Sequence, residues 1–297
     1  MLADEVDRLA AGAARAVDAT AGFGGHTRCL RAAGAQVLAV DRDAEALAQA
    51  RAALGDAGIV WKPGRFADPD VLAAVERFRP DFVLLDLGVS SHQLDTEARG
   101  FSFRPGTPLD MRMEGGMGGE RAADLLNRLS EPALADLFYH YGDERRARRL
   151  AREIVRRRSH EPFATSDDLV NAIRGALGPR TGPSDFARLF QAVRIAVNDE
   201  LSELEAALPR YRDALAAGGR LAVISYHSGE DRIVKREFRE WARECVCPGG
   251  QPVCTCRGKA LGRAVPRRPI VPTEEEVAKN PRARSAKLRA FHVAAEA

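Results

Sequence analysis

The stretch Val17-Asp18-Ala19-Thr20-Ala21-Gly22-Phe23-Gly24-Gly25-His26, followed by Val37-Leu38-Ala39-Val40-Asp41, constrains the fold more than any other part of this chain. A short apolar strand enters a glycine-rich turn. A helix follows, and then a second strand that stops on an acid. Doubly wound α/β domains hold nucleosides in this way. Glycine lets the backbone approach a ligand closely, because no Cβ stands in the way. Asp41, at the end of the second strand, is placed to accept hydrogen bonds from two ribose hydroxyls.

The pattern continues through the first 90 residues. Strands are expected at 16–19, 36–40, 59–61 and 81–86, and helices at 1–15, 25–33, 44–54 and 71–78, with Asp43 capping the third. Asp81-Phe82-Val83-Leu84-Leu85-Asp86 is an apolar run typical of a strand buried on both faces. Such alternation means a parallel sheet with helices on both faces. The rhythm then breaks. Residues 88–120 read as loop, and 121–205 almost entirely as helix, with segments at 122–129, 131–139, 145–158, 166–175 and 185–208. The sheet resumes at 220–226 and ends with a strand at 287–293, while 245–270 reads as an irregular basic excursion. The expected fold is therefore an α/β sheet domain, residues 1–98 and 192–297, interrupted by an all-helical insertion at 99–191.

With 297 residues, 45% of them hydrophobic, the chain can bury one large core or two smaller ones. It contains no apolar run of about 18 residues, so no membrane span is expected. Asp4 and Glu5 stand where a signal peptide carries positive charge, which points to the cytoplasm. The net charge is only +3, but its distribution is uneven. Eight arginines and one acid fall between Arg145 and Arg158. Ten Lys or Arg fall between Arg257 and Arg289, against the three acids Glu274, Glu275 and Glu276. Such stretches attract polyanions, or else form solvated helix faces. Four of the five cysteines form Cys245-x-Cys247 and Cys254-x-Cys256. In a reducing compartment, paired cysteines suggest metal before disulfide, and four thiolates suit a structural zinc. The C-x-C spacing is tighter than that of the usual zinc motifs, so reduced thiols and redox chemistry stay open as readings.

The glycine loop narrows the choice of nucleoside. Gly22-x-Gly24-Gly25 lacks the third glycine of the dinucleotide fingerprint G-x-G-x-x-G. Asp18, just before the loop, suits the ammonium of an amino acid better than a pyrophosphate; its other reading is a turn-capping acid. Both points favour S-adenosylmethionine, with its zwitterionic tail and cationic sulfonium. Asp86, at the end of the fourth strand, lies where ligands sit in open α/β sheets.

Longer blocks carry a resemblance. Asp86-Leu87-Gly88-Val89-Ser90-Ser91-His92-Gln93-Leu94-Asp95 resembles the DLGVSSPQLD signature of the bacterial 16S ribosomal RNA cytosine-N4 methyltransferases, the MraW or RsmH type. Arg99-Gly100-Phe101-Ser102-Phe103, Pro108-Leu109-Asp110-Met111-Arg112-Met113, Tyr141-Gly142-Asp143-Glu144, Val197-Asn198-Asp199-Glu200-Leu201, Ile224-Ser225-Tyr226-His227-Ser228 and Pro281-Arg282-Ala283-Arg284-Ser285 continue it in order. His92 stands where proline is usual, Ala196 where glutamate is common, and Gly229 where leucine is common. The family's opening segment is represented only by Leu2-Ala3-Asp4-Glu5.

The resemblance implies a Rossmann-like class I methyltransferase sheet whose helical insertion recognises RNA. It implies that Gly24, Gly25, His26, Asp41, Phe66, Asp86 and Gln93 contact S-adenosylmethionine, Phe66 lying against the adenine. The substrate it implies is one cytidine in the decoding region of 16S rRNA, within the small ribosomal subunit. Methylating the exocyclic N4 needs alignment and an acceptor for an N4 proton. The D/N/S-P-P-Y/F motif of many amine methyltransferases is absent. Asp110 is the expected acceptor, oriented by Ser225 and His227; its alternative is a salt bridge to Arg112. The rival readings are a methyltransferase acting on DNA or another RNA, and an RNA-binding protein with a degenerate nucleoside pocket.

Overall fold

The computed structural model describes residues 2–115, 118–249, 251 and 253–295. Its chain divides into two compact units. One comprises the residues up to Gly88 and those from Leu201 onward; the other is Val89–Glu200.

The first unit opens with α1 (Ala3–Ala10), β1 (Arg15–Asp18), α2 (Gly25–Ala32), β2 (Gln36–Asp41), α3 (Ala44–Leu54), β3 (Ile59–Pro63), α4 (Pro69–Phe78) and β4 (Phe82–Asp86). The second unit holds α5 (Ser91–Asp95), α6 (Ala122–Arg128), α7 (Glu131–His140), α8 (Ala147–Arg158), α9 (Ser166–Leu177) and α10 (Pro183–Asn198). The chain then returns through α11 (Glu200–Ala214), β5 (Arg220–Ser225), α12 (Ser228–Trp241), β6 (Gly262–Ala264), α13 (Glu274–Lys279) and β7 (Lys287–Val293).

The seven strands form one sheet in the order β3-β2-β1-β4-β5-β7-β6. The first five are parallel to one another, and β7 runs antiparallel to both β5 and β6. The order in which successive strands join the sheet reverses between β1 and β4, which run parallel, so the carboxyl ends of these two strands flank the switch point where α/β sheets bind ligands. Alternate residues enter opposite layers, as strand geometry requires. Leu38, Val40, Val83 and Leu85 pack with Val71 and Val75 of α4, Leu208 and Tyr211 of α11, and Phe238 of α12. Val37, Ala39, Phe82 and Leu84 pack with Val6 of α1, Leu30 of α2 and Leu47 of α3. Phe82, Val83, Leu84 and Leu85 are completely buried. Each such side chain stabilises the fold by about 1.5–3 kcal/mol.

The helical unit has its own core, built on Leu134 and Phe138 of α7, Leu150 and Ile154 of α8, Leu169 and Ile173 of α9, and Leu189 and Val193 of α10. The long segment before α6 is irregular but anchored, with Leu109, Met111 and Met113 buried in this core. Asn198, 1% exposed, holds that segment. Its Nδ2 donates to the carbonyl oxygens of Met111 (2.8 Å) and Arg194 (2.9 Å), and its Oδ1 accepts from the Met113 amide (3.0 Å).

The doubly wound sheet and the helical insertion match the expected architecture, but the details differ. The units part at Gly88/Val89 and Glu200/Leu201 rather than at 98/99 and 191/192. The reason is packing: Val89 and Leu94 lie against the helical core, and α10 runs unbroken past residue 191 with its apolar side buried there. The single helix expected at 185–208 is two, because Asp199 adopts a left-handed conformation (φ 52°, ψ 34°) and caps α10. A short acidic side chain tolerates that region better than most. The basic excursion is less irregular than expected, since β6 falls within it. The helix α12, which no expectation covered, follows β5.

Replacing Asn198 by alanine removes the hydrogen bonds that it makes with the buried Met111 carbonyl and Met113 amide. The loss in stability is expected to be about 2–4 kcal/mol, read as a lowered urea midpoint for the full chain.

Candidate functional site at the strand tips

The glycine turn is built by its own hydrogen bonds. Gly22 (φ 50°) and Gly24 (φ 82°) both occupy the left-handed region, where residues with a Cβ are strained. Gly24 caps the N-terminus of α2. A Cβ on Gly24 would lie 2.9 Å from Leu54 Cδ1 and 3.2 Å from Ala50 Cβ, so the turn is pressed against α3. A Cβ on Gly22 or Gly25 would meet nothing within 4 Å. One side of the turn is therefore packed and the other open.

Three carboxylates surround this turn, each with a different environment. Asp18 is 1% exposed; its Oδ2 accepts from Thr27 Oγ1 (2.6 Å) and its Oδ1 from the Thr20 amide (3.4 Å). Burial pushes its pKa up, against the opposing charge of His26 and these hydrogen bonds. Asp18 thus braces the turn from inside. Its burial favours the other reading, a turn-capping acid, over contact with a ligand's ammonium: the carboxylate is sealed from solvent and faces Thr20 and Thr27. Asp41 sits at the tip of β2. Its Oδ2 accepts from the Gly22 amide (2.6 Å) and its Oδ1 from the Asp43 amide (2.8 Å). Burial raises its pKa to about 6, in spite of those two amides. Keeping this group ionised at neutral pH costs about 2–3 kcal/mol of stability, relieved as pH falls through 6 toward 4.

Asp86 sits at the tip of β4. Its amide donates to Thr20 Oγ1 (2.7 Å), which joins the tip to the glycine turn. Its Oδ1 accepts from the Tyr226 hydroxyl (2.7 Å), and its Oδ2 lies 3.4 Å from His26 Nε2. Burial pulls the His26 imidazole down, but the hydrogen bond and charge of Asp86, with the charge of Asp18, outweigh it and raise its pKa. Burial, and then the negative Asp86, push the Tyr226 hydroxyl well up, so that it remains a proton donor. Phe66, after β3, is partly buried against the core, and its carbonyl accepts from the Tyr211 hydroxyl (2.9 Å). Glu203, 8% exposed, pairs with Arg65 and lies 3.9 Å from Arg42, binding the residues beside Phe66 to those beside Asp41.

The first unit thus brings together Gly24, Gly25, His26, Asp41 and Asp86 from separate segments. Ser225 and His227 also belong to it, in structural positions. Ser225 is 2% exposed, with its Oγ 3.4 Å from the Lys287 carbonyl oxygen. His227 caps α12, its Nδ1 accepting from the Gly229 amide (3.2 Å). Gln93 and Asp110 belong to the second unit. Gln93, 6% exposed, forms a capping box on α5: its Oε1 accepts from the Ser90 amide (2.9 Å), and its Nε2 donates to the Met113 carbonyl (3.3 Å). Both ends of its amide are engaged there. Asp110 pairs with Arg112 in fork geometry, Nε to Oδ1 at 2.9 Å and Nη2 to Oδ2 at 2.7 Å. Burial would raise the pKa of Asp110, but Arg112 outweighs it and holds the carboxyl below the usual range. This is the salt bridge that stood as the alternative for Asp110. Sequence reasoning missed Thr20, Tyr226, Arg42 and Glu203. Tyr226 carried a usable signal, being the first residue beyond a buried parallel strand.

The arginines of α8 and of the turn before it are sorted by partner. Ala147, Leu150, Ala151 and Ile154 form the buried stripe. Arg156 and Arg157 pair with Glu153, whose pKa falls to about 2. Arg158 donates to the Leu126 carbonyl (2.6 Å). Arg145, Arg148 and Arg149 are exposed and make no side-chain hydrogen bond or ion pair among the described residues.

A doubly wound sheet in this order, with a glycine turn after β1 and carboxylates at the tips of β2 and β4, defines a nucleoside-binding α/β protein of the class I methyltransferase type. The model of the MraW methylase family matches residues 1–294, and the chain belongs to that family. It is 54% identical over 301 residues to the ribosomal RNA small subunit methyltransferase H of Gemmatimonas aurantiaca, covering 99% of this chain and 94% of that one. Proteins of the same name from Syntrophotalea carbinolica and Heliobacterium mobile are 46% and 45% identical; the matches cover 93% and 92% of this chain and 90% of each relative. No helix among the described residues is long and apolar enough to cross a membrane.

Gly24→Ala is expected to destabilise the protein by about 1–3 kcal/mol, from left-handed strain and the contact with Leu54. Gly25→Ala, with open space around its new methyl, should leave the stability read from urea unfolding within about 0.5 kcal/mol of wild type.

Proposed function

We propose that this methylase transfers a methyl group from S-adenosylmethionine to the exocyclic N4 of a cytidine in the decoding region of 16S rRNA. The substrate would be presented within the small ribosomal subunit. The observation that carries the donor assignment is the pair of ionisable strand-tip acids, Asp41 and Asp86, around a glycine turn packed on one side and open on the other. The rRNA assignment rests on family membership and on the names borne by relatives up to 54% identical. The cytidine N4 and the decoding region rest on the sequence blocks from Asp86 to Asp95 and from Pro108 to Met113.

S-adenosylmethionine supplies an electrophilic methyl on a positive sulfur. Its fit to the residues present is chemical as well as spatial. Asp41 has spare lone pairs beyond the two amides it accepts, enough for ribose hydroxyls. Gly24 and Gly25 would line the turn, and Phe66 would lie against the adenine. Asp86, tied to His26 and Tyr226, would keep negative potential near the cationic centre. In the transfer itself, the N4 lone pair would form the new N–C bond, the S–CH3 pair would return to sulfur, and one N4 proton would pass to the Asp110 carboxylate. Asp110, kept ionised by Arg112, would accept a hydrogen bond from N4 and draw electron density onto nitrogen. Arg145, Arg148 and Arg149, being unpaired, would contact phosphates, with an affinity that falls as salt rises.

A tritiated-methyl assay separates this reading from its rivals. Small subunits from cells lacking the protein are expected to accept label as N4-methylcytidine, and DNA is not. Label on DNA alone, or no binding of S-adenosylmethionine in calorimetry, would overturn the proposal. Asp110→Ala should abolish turnover and leave donor affinity within about twofold of wild type; loss of donor binding would show that its role is misassigned.

The raised pKa of Asp41 gives a second expectation. Its protonated form no longer serves as a full acceptor for ribose hydroxyls. Donor affinity should therefore fall as pH is lowered, with a midpoint near 6, by up to about tenfold per unit below it. Titration calorimetry between pH 8 and 5 reads this directly.

A further inference from the structure

Cys245, Cys247, Cys254 and Cys256 lie in the stretch between α12 and β6. Two of them are exposed and two half-buried, and none belongs to an apolar cluster. Hydrophobic packing therefore gives these side chains no reason to converge. Yet their four sulfur atoms all lie within 4.8 Å of one another. The separations are 3.8 Å for Cys245–Cys254, 3.8 Å for Cys247–Cys254, 3.5 Å for Cys254–Cys256 and 3.9 Å for Cys245–Cys256. The edge of a tetrahedron of thiolates around zinc, at a Zn–S distance of about 2.3 Å, is about 3.8 Å. A pair of disulfides would instead place the sulfurs two by two at about 2.05 Å.

We propose that these four cysteines form a structural zinc site, closed to substrate, which ties the two arms of this excursion together. Tetrahedral sulfur ligation selects zinc over harder cations, and four protein ligands leave no open position. Binding replaces four thiol protons by one Zn2+, leaving a cluster of charge 2−. The Val246 amide donates to Cys256 Sγ (3.2 Å), the kind of outer hydrogen bond that orients a metal-bound thiolate. Arg257, next in the chain, donates through Nη2 to the carbonyl oxygens of Glu240 (2.5 Å) and Arg243 (2.9 Å) at the C-terminal end of α12. That end of a helix favours a cation. The second cysteine arm is thus docked on the helix that leads from the tip of β5, and the metal would hold the first arm to it. The reading does not depend on the substrate or the methyl donor.

The experiment is elemental analysis of the full chain, purified without chelators from zinc-containing medium. One zinc per chain is expected. Cys254→Ser/Cys256→Ser should lose at least nine-tenths of it, and Cys29→Ser should keep it all. Wild-type protein refilled with Co2+ should show the intense visible bands of tetrahedral cobalt–thiolate, which reports the ligand set without any variant. After metal removal, limited proteolysis should cut within 245–261 at least tenfold faster. Four free thiols with no metal, two disulfides by intact mass, or stoichiometric iron in place of zinc would each overturn the assignment.

Discussion

The hydrogen bond from the Gly22 amide to the Asp41 carboxylate joins the glycine turn to the tip of the next strand, and the rest of the site depends on it. A left-handed glycine turn leaves amides pointing outward with no partner in a helix or sheet. The chain answers with acids. Asp41 takes the Gly22 amide, Asp18 takes Thr27 and Thr20 from beneath, and the Asp86 amide is held by Thr20. Three acids so close would repel one another if all were equally exposed. They are graded instead: Asp18 sealed inside, Asp41 half-buried with its pKa raised, and Asp86 balanced by His26 and Tyr226. Stability is given up at Asp41 to keep an ionised acceptor where a nucleoside would lie, a common arrangement at functional sites.

The helical unit shows the same division of labour among its charges. Of the eight arginines between Arg145 and Arg158, some are bound to Glu153 or to backbone carbonyls and serve the fold. Arg145, Arg148 and Arg149 are left over. A charge-rich helix is therefore both a solvated face and a set of uncommitted cations, and only the pairing pattern tells the two apart. Asp110 is similar: Arg112 makes it part of the loop's structure and at the same time keeps it ionised.

Much of the sheet was legible because its signals are local. Gln36–Asp41, Ala44–Leu54 and Lys287–Val293 follow from an apolar run, an Asp cap and an alternating strand, each contained in a few residues. The break at Asp199 was not legible, because a helical pattern of apolar residues continues on both sides of one left-handed residue. Nor was the fate of Asp18, since a strand-end acid looks the same whether it faces a ligand or a threonine. Gln93 lay in a recognisable block, but its capping of α5 depends on Ser90 and Met113 converging.

Order along the chain was enough to determine the doubly wound sheet, the glycine turn and the helical interruption, because hydrophobic period and turn chemistry act over short spans. It also supplied the residues of the strand tips, as a set of candidates without relations. Folding decided which of them touch. Tyr226 reaches Asp86 across 140 positions, and Arg65 reaches Glu203. Those pairings are set by strand order and packing, long-range quantities that leave no mark in any one stretch of sequence.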